Sequence, residues 1–183
     1  MTSPPFPAAA IAAARDAAKT HLRIAPSDEN PLIDGLAATA LALCEAFNGG
    51  AIIARDWTAI LPAAPTWQRL GTAPVYTIDA IEGLPAEGAA FALPTSAYAI
   101  DIDAEGEGWV RVIAPGAAGR VRVRFGAGGA SGWDDLPPPL AQGVVLLIAH
   151  LFDAREGGAE PPAAIAALWR PWRRLRLARA AYA

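Results

Sequence analysis

Hydrophobic positions along the chain change period twice, from helical spacing to alternation and back. Over residues 7–22 alanine dominates, and Ile11, Ala14, Ala18 and Leu22 fall on one side at helical spacing. Pro26 interrupts. A second helix, about 28–47, starts between Ser27 and Pro31. Its polar run SDEN offers several N-caps, and Pro31 is tolerated in the first turn if Asn30 caps. Leu32, Ile33, Leu36, Ala40, Leu43, Cys44 and Phe47 form its core face. Asn48-Gly49-Gly50 then ends it in a left-handed cap.

The middle of the chain reads as strands, all within 51–125. AIIARDWTAIL, residues 51–61, alternates well enough to be one. PVYTIDAI, AYAIDID, GWVRVIA and GRVRVRF follow, each bounded by Gly, Pro or Asp. The clearest puts Val121, Val123 and Phe125 on one face and Arg122 and Arg124 on the other. Short strands at this spacing predict a small antiparallel sheet or sandwich. Helical spacing returns after Pro137-Pro138-Pro139 and spans about 138–155, with Leu140, Val144, Leu147, Ile148, Leu151 and Phe152 on a wide apolar face. Gly157-Gly158 stops it, a short helix covers about 162–169, and Pro171 breaks that one. The pattern predicts an α+β fold. A small helical core of two N-terminal helices and one from the C-terminal half carries an inserted short-stranded antiparallel β region. Residues 1–168 read as one domain and 169–183 as an arm.

Composition sharpens this picture in three places. Hydrophobic residues are 54% of the chain, but alanine inflates that share, so core volume is smaller than it suggests. The single Cys44 rules out an internal disulfide framework and a multi-cysteine zinc site, and reads as a small buried hydrophobe. No basic region precedes the alanine-rich start, and the longest strongly apolar run, Val144–Ala149, is too short to span a bilayer. The expectation is a soluble, intracellular protein.

The chemistry-bearing residues are sparse. GAGGASG, Gly126–Gly132, lacks the Lys and the helix opening of a phosphate loop and reads as a sheet-to-helix connection. His21 and His150 have no further ligands at metal spacing, and His150 reads as structural. Asp101 and Asp103 sit two apart on a predicted strand, where a solvated face outweighs acid–base chemistry or cation binding. Asp134-Asp135 belongs to the turn before the third main helix. No nucleophile elbow is present. Catalytic, cofactor and metal assignments are therefore none. Arg120, Arg122 and Arg124, with Arg111 on another predicted strand, could form a basic sheet face. Such a face either attracts phosphates or is a solvated face balanced by acids.

Charge is uneven along the chain. The formal net charge is −3, yet residues 161–183 hold Arg170, Arg173, Arg174, Arg176 and Arg179 with no acid, leaving −8 for the remainder. The ending WRPWRRLRLARAAYA also exposes Trp169 and Trp172 to question. Trp and Arg are the side chains most enriched at interface hot spots. Docking to a partner is the leading reading of this tail, ahead of packing back on its own domain and of nucleic-acid contact.

The run AKTHLRIAPSDENPLIDGLAATA resembles the N-terminal signature of the phage head–tail connector (adaptor, head-completion) family, which includes gene transfer agent adaptors. Lys19, His21, Leu22, Arg23, Ile24, Asp28, Leu32 and Ile33 carry that likeness. Trp57, RLGTAPVYTI, Tyr98-Ala99-Ile100-Asp101, VRVRFGAG, LPPPLAQGVVLLIAHLFDARE and LWRPWRRLRL resemble later elements in the family's order, so the likeness covers about 17–177. PAAPTW is longer and richer in proline than the family's pattern.

The resemblance implies a non-enzymatic building block: a ring, commonly of twelve copies, beneath the portal of a phage or phage-like particle. Its implied partners are the portal protein, further copies of itself, a tail-side stopper or head-closure protein, and DNA passing through the channel without sequence-specific binding. No membrane and no cofactor are implied. The implied location is the bacterial cytoplasm during assembly and then the head–tail junction. In this reading Trp169, Arg170, Trp172, Arg173, Arg174, Leu175 and Arg176 bind the portal, and a cut after Leu168 leaves the domain folded. Arg111, Arg120, Arg122 and Arg124 then offer DNA-channel or tail-side contacts. The rival readings are a nucleic-acid-binding module using the basic tail and the arginine strand face, and a small enzyme or ligand-binding β domain using Asp101, Asp103 or His150.

Overall fold

The computed structural model describes residues 3–154 and 161–174. The chain forms two compact units, one helical (residues 6–52 and 132 onward) and one β-rich (residues 53–131 with the first few residues). The β unit is thus inserted between two helices of the helical one.

In the helical unit, α1 (Ala8–Leu22) buries Ala10, Ala14 and Ala18, an i, i+4 stripe of methyl groups that lets its neighbours approach closely. It ends with Arg23 in the left-handed region, φ 58°, and the Ile24 N–H returns to the Lys19 carbonyl at 3.0 Å. α2 (Asn30–Asn48) has Pro31 in its first turn, where its missing N–H costs nothing. Asn30 does not cap it. Its Oδ1 accepts instead from Lys19 Nζ at 2.7 Å, and Arg15 reaches Asp34 at 3.1 Å, so polar contacts join α1 to α2. The buried face of α2 is Ile33, Ala37, Ala40, Leu41, Cys44 and Asn48. Leu32 and Leu43, expected inside, are exposed. α2 carries aliphatic residues on adjacent faces, and spacing alone does not fix which of them turns inward. Gly49, φ 71°, closes the helix as expected. α3 (Pro138–Asp153) buries Leu140, Gly143, Val144, Val145, Leu147, Ile148 and Ala149, and α4 (Ala163–Trp169) packs on it through Ile165 and Trp169.

The β unit holds two antiparallel sheets. Strands β1 (Arg55–Pro62), β3 (Val75–Pro85), β4 (Phe91–Ala92) and β7 (Ala118–Ala127) form one in the order β1-β7-β3-β4. Strands β2 (Gln68–Arg69), β5 (Tyr98–Ile102) and β6 (Gly108–Val112) form the other in the order β2-β6-β5. In β7 the expected alternation holds: Val121, Val123 and Phe125 are buried, and Arg120 and Arg124 are exposed. Direct partners share a face, so Trp57 faces the core beside Phe125, and Ala59 and Ile81 flank Val123. Arg55 lies two residues from Trp57 and shares its inward register. Its guanidinium is buried, donates to the Pro4 and Ile53 carbonyls and to Ser3 Oγ, and lies 4.5 Å from the Trp57 ring centroid. That network ties the start of the chain to β1, and the desolvated charge keeps its hydrogen bonds.

Two core positions give testable outcomes. A Cβ at Gly143 would run into the Trp169 indole. Alanine there gains about 1 kcal/mol of helix propensity but overpacks the core, which costs about 1–3 kcal/mol. Because the collision is with a rigid ring, Gly143→Ala is expected to lower the urea midpoint; a rise would show the indole can move aside. Burial pushes the Cys44 thiol up to about 12, against a weaker opposing hydrogen bond from Asn48 Nδ2. The neutral thiol is favoured in the fold, so its contribution is intact below the unfolded thiol value of roughly 8.5 and lost as pH rises toward 12. Maleimide labelling of Cys44 near pH 7.5 should proceed only as fast as the protein opens; rapid labelling of the folded chain would contradict this burial.

Candidate docking surfaces

The C-terminal segment starts inside the helical unit rather than outside it. Trp169 is 4% exposed. Its Nε1 donates to the Leu140 carbonyl at 3.3 Å, and its ring centroid lies 5.8 Å from that of Phe47. The bare backbone of Gly143 makes room for the indole. Trp169 is therefore a core residue, which argues against its anchoring a partner and against a cut after Leu168 leaving the fold intact. Beyond it, a single 3-10 turn, Arg170–Trp172, carries Pro171 and leaves Arg170, Trp172 and Arg173 exposed. The Arg173 guanidinium lies 5.6 Å from the Phe47 ring centroid. The Arg174 N–H donates to the Asn48 carbonyl at 2.8 Å, satisfying an acceptor at the C-terminus of α2 where positive charge is also favoured. The chain is thereby led past the end of α2 with Trp172, Arg170 and Arg173 facing outward. Leu175 and Arg176 lie outside the described residues. Beside this root lies an apolar cavity of about 250 Å³, lined by Leu43, Phe47, Leu147, Ile165, Ala166 and Trp169.

The arginines of the β region divide between two sheets. Arg120, Arg122 and Arg124 share the outer face of β7. Glu82, on β3, bridges two of them, at 3.0 Å to Arg122 and 3.6 Å to Arg124. Arg111 belongs to β6 in the other sheet, where its guanidinium lies 4.8 Å from the Trp67 ring centroid. The expected four-arginine face is corrected to a three-arginine one. Exposed Ile60 and Tyr76 accompany these arginines: Ile60 is the direct partner of Arg122, and the Tyr76 ring lies over Gly126.

The remaining candidates serve the fold. Asp103 does not share a strand face with Asp101; it lies beyond the end of β5 and organises the β5–β6 hairpin. Its Oδ1 accepts the Glu105 and Glu107 N–H groups at 3.1 and 2.8 Å, and its Oδ2 accepts Trp109 Nε1 at 2.8 Å. In the glycine-rich run, Gly126 and Ala127 are still strand, and the Gly128 N–H donates to the Pro74 carbonyl at 2.9 Å, so that amide is not turned to a ligand. Among the described residues no group of three or more His, Cys, Asp and Glu side chains could hold a metal ion. No described helix is long and apolar enough to cross a membrane.

The chain matches no family model and no curated protein. Solved structures do match it over nearly its whole length. A chain from the neck of an empty gene transfer agent (GTA) particle, computed with C6 symmetry, is 27% identical with a TM-score of 0.75, covering 97% of each chain. A chain from the neck of the native GTA particle, computed with C12 symmetry, is 28% identical with a TM-score of 0.73, again covering 97% of each. A chain in the native GTA virion is 28% identical with a TM-score of 0.70, covering 97% of this chain and 96% of that one. Sequence resemblance and whole-length structural likeness point the same way: the chain is similar, from end to end, to chains of gene transfer agent particles, two of them from the particle neck.

Proposed function

We propose that the chain is a structural subunit of the neck of a phage-like particle, forming a ring that extends the DNA channel and joins capsid to tail. The observation that carries this reading is the likeness to GTA neck chains over 97% of the sequence. Necks computed with C6 and C12 symmetry support a self-assembled ring, and twelve copies fit the latter. The particle neck is the proposed final location, reached from the bacterial cytoplasm where assembly takes place. The chain's formal net charge of −3 suits a channel that lets DNA pass, since strong cationic contacts would add sequence-independent grip on phosphates. A nucleic-acid-binding module is the weaker reading. Two of the three arginines on the sheet face share Glu82, and Arg111 does not join them.

The portal protein is the proposed partner of the C-terminal segment, and a stopper or head-closure protein that of the tail side. The portal contact is proposed for Arg170, Trp172, Arg173 and Arg174 with Leu175 and Arg176, and no longer for Trp169. Exposed Trp172 next to three arginines combines a large apolar surface with fork-shaped donors that match carboxylates and carbonyls. Attachment through a short segment would raise the local concentration of subunits and so favour lateral contacts.

Buried and exposed tryptophans separate folding from docking. Removal of Trp169, by a cut after Leu168, is expected to cost the helical unit roughly 3–5 kcal/mol. Trp172→Ala should leave stability within about 0.5 kcal/mol but weaken capture by purified portal rings about tenfold or more. Thermal unfolding and co-sedimentation with portal rings read the two effects. A Trp172→Ala protein that captures portals as well as the parent would remove the C-terminal segment from the anchoring role.

A further inference from the structure

One pair of core-facing side chains in the β unit lacks cover. In β5, Ile100 and Ile102 are the direct partners of Val110 and Gly108 in β6, so they share the face of the sheet on which Val110 is fully buried. Yet Ile100 is 45% exposed and Ile102 39%. β5 is the outer strand of its sheet, and the apolar face stops short of it. The same hairpin is strongly acidic: Asp101, Asp103, Glu105 and Glu107 lie within seven residues. Arg69 approaches Glu107 at 3.8 Å. The three hydrogen bonds to Asp103 hold the hairpin in shape, so little chain entropy would be lost when it docks.

The outer face of the four-stranded sheet is its complement. Arg120, Arg122 and Arg124 stand in a row across from Pro62, Ile60 and Thr58 of β1. Ile60 and Tyr76 are each 55% exposed. Glu82 is the carboxylate that meets these arginines among the described residues, and it pairs with Arg122 and Arg124, leaving Arg120 without an ion pair. One chain therefore exposes an acidic hairpin, with Ile100 and Ile102 on one face of its edge strand, Asp101 on the other and Glu105 in the turn, and a basic patch bearing an isoleucine and a tyrosine, and in its own fold neither covers the other.

We propose that the β5–β6 hairpin of one copy docks on the arginine face of the next copy's four-stranded sheet, and that repetition of this contact closes the ring. The inference rests on the ring reading above and names the surfaces that would make it. A closed ring needs two different, complementary patches on every subunit. These two differ and are opposite in charge. A symmetric contact of hairpin with hairpin would set acids against acids, and one of sheet face with sheet face would set arginines against arginines. Docking also covers Ile100 and Ile102, completing the core face that the single chain leaves open.

Charge reversal tests the pairing in full-length protein added to portal-bearing capsids that lack the neck protein. Asp101→Lys with Glu105→Lys, or Arg120→Glu with Arg124→Glu, should each cut ring formation about tenfold or more, as like charges meet. All four substitutions in one chain should restore rings. As an independent measurement, Ile102→Cys with Ile60→Cys, joined by a short bismaleimide, should give a ladder running past dimers, while either substitution alone gives no such ladder. Undiminished rings from both reversed proteins, or dimers alone from the double-cysteine chain, would overturn the proposal while leaving the ring reading intact. Loss of duplex DNA binding by the arginine reversal, with no rescue by the hairpin reversal, would overturn it by assigning that face to DNA. Absence of rings from the parent protein itself would overturn the ring reading first, and the pairing with it.

Discussion

The two-residue alternation of β7 is the constraint from which the β unit follows. This strand lies between β1 and β3, so its inward residues Val121, Val123 and Phe125 set the register of both neighbours. A slip of one residue would turn three arginines into the core and three apolar side chains into water. The same alternation that builds the core thus fixes a row of arginines on the outer face. Core and candidate interface are two sides of one strand, and neither can shift without the other.

A comparable fit governs the C-terminal segment. The indole of Trp169 occupies space that only a glycine at position 143 leaves open, and it closes against α3 and Phe47. Because that tryptophan is held, the residues that follow start from a fixed point. Arg174 is bonded to the end of α2, and Trp172 faces outward. The basic segment is therefore presented by the fold, with a core tryptophan as its root and a surface tryptophan as its reach. In the proposed reading, this division puts the positive charge of an otherwise acidic chain where a partner can meet it.

Much of this was legible in the sequence because it depends on short-range periodicity. The four helices, the alternation of β7 and the left-handed cap at Gly49 follow from spacing and from the special conformations of glycine and proline. What escaped depends on tertiary contact. The choice between Leu43 and Leu41 as the buried residue is made by what α2 packs on, and both fit a helical face. Trp169 and Trp172 look alike in the sequence, and only the gap at Gly143 distinguishes them. Arg111 shares the alternating pattern of Arg122 and Arg124, but strand order places it in a different sheet. Asp103 continues the alternation of AYAIDID, but the Glu105-Gly106 turn that follows marks it as the residue that bonds the hairpin's amides. Arg55 carries a usable signal in the sequence: its inward register with Trp57 and Ala59 marks it as a buried charge in need of partners.

The account stands on the chain being the piece that joins head to tail. Electron cryomicroscopy of particles assembled with and without this chain tests that most directly. With the chain present, a ring of its copies should lie between portal and tail; without it, capsids should accumulate with portals but no attached tails. Tailed particles with an unchanged neck in the absence of the chain would contradict the account.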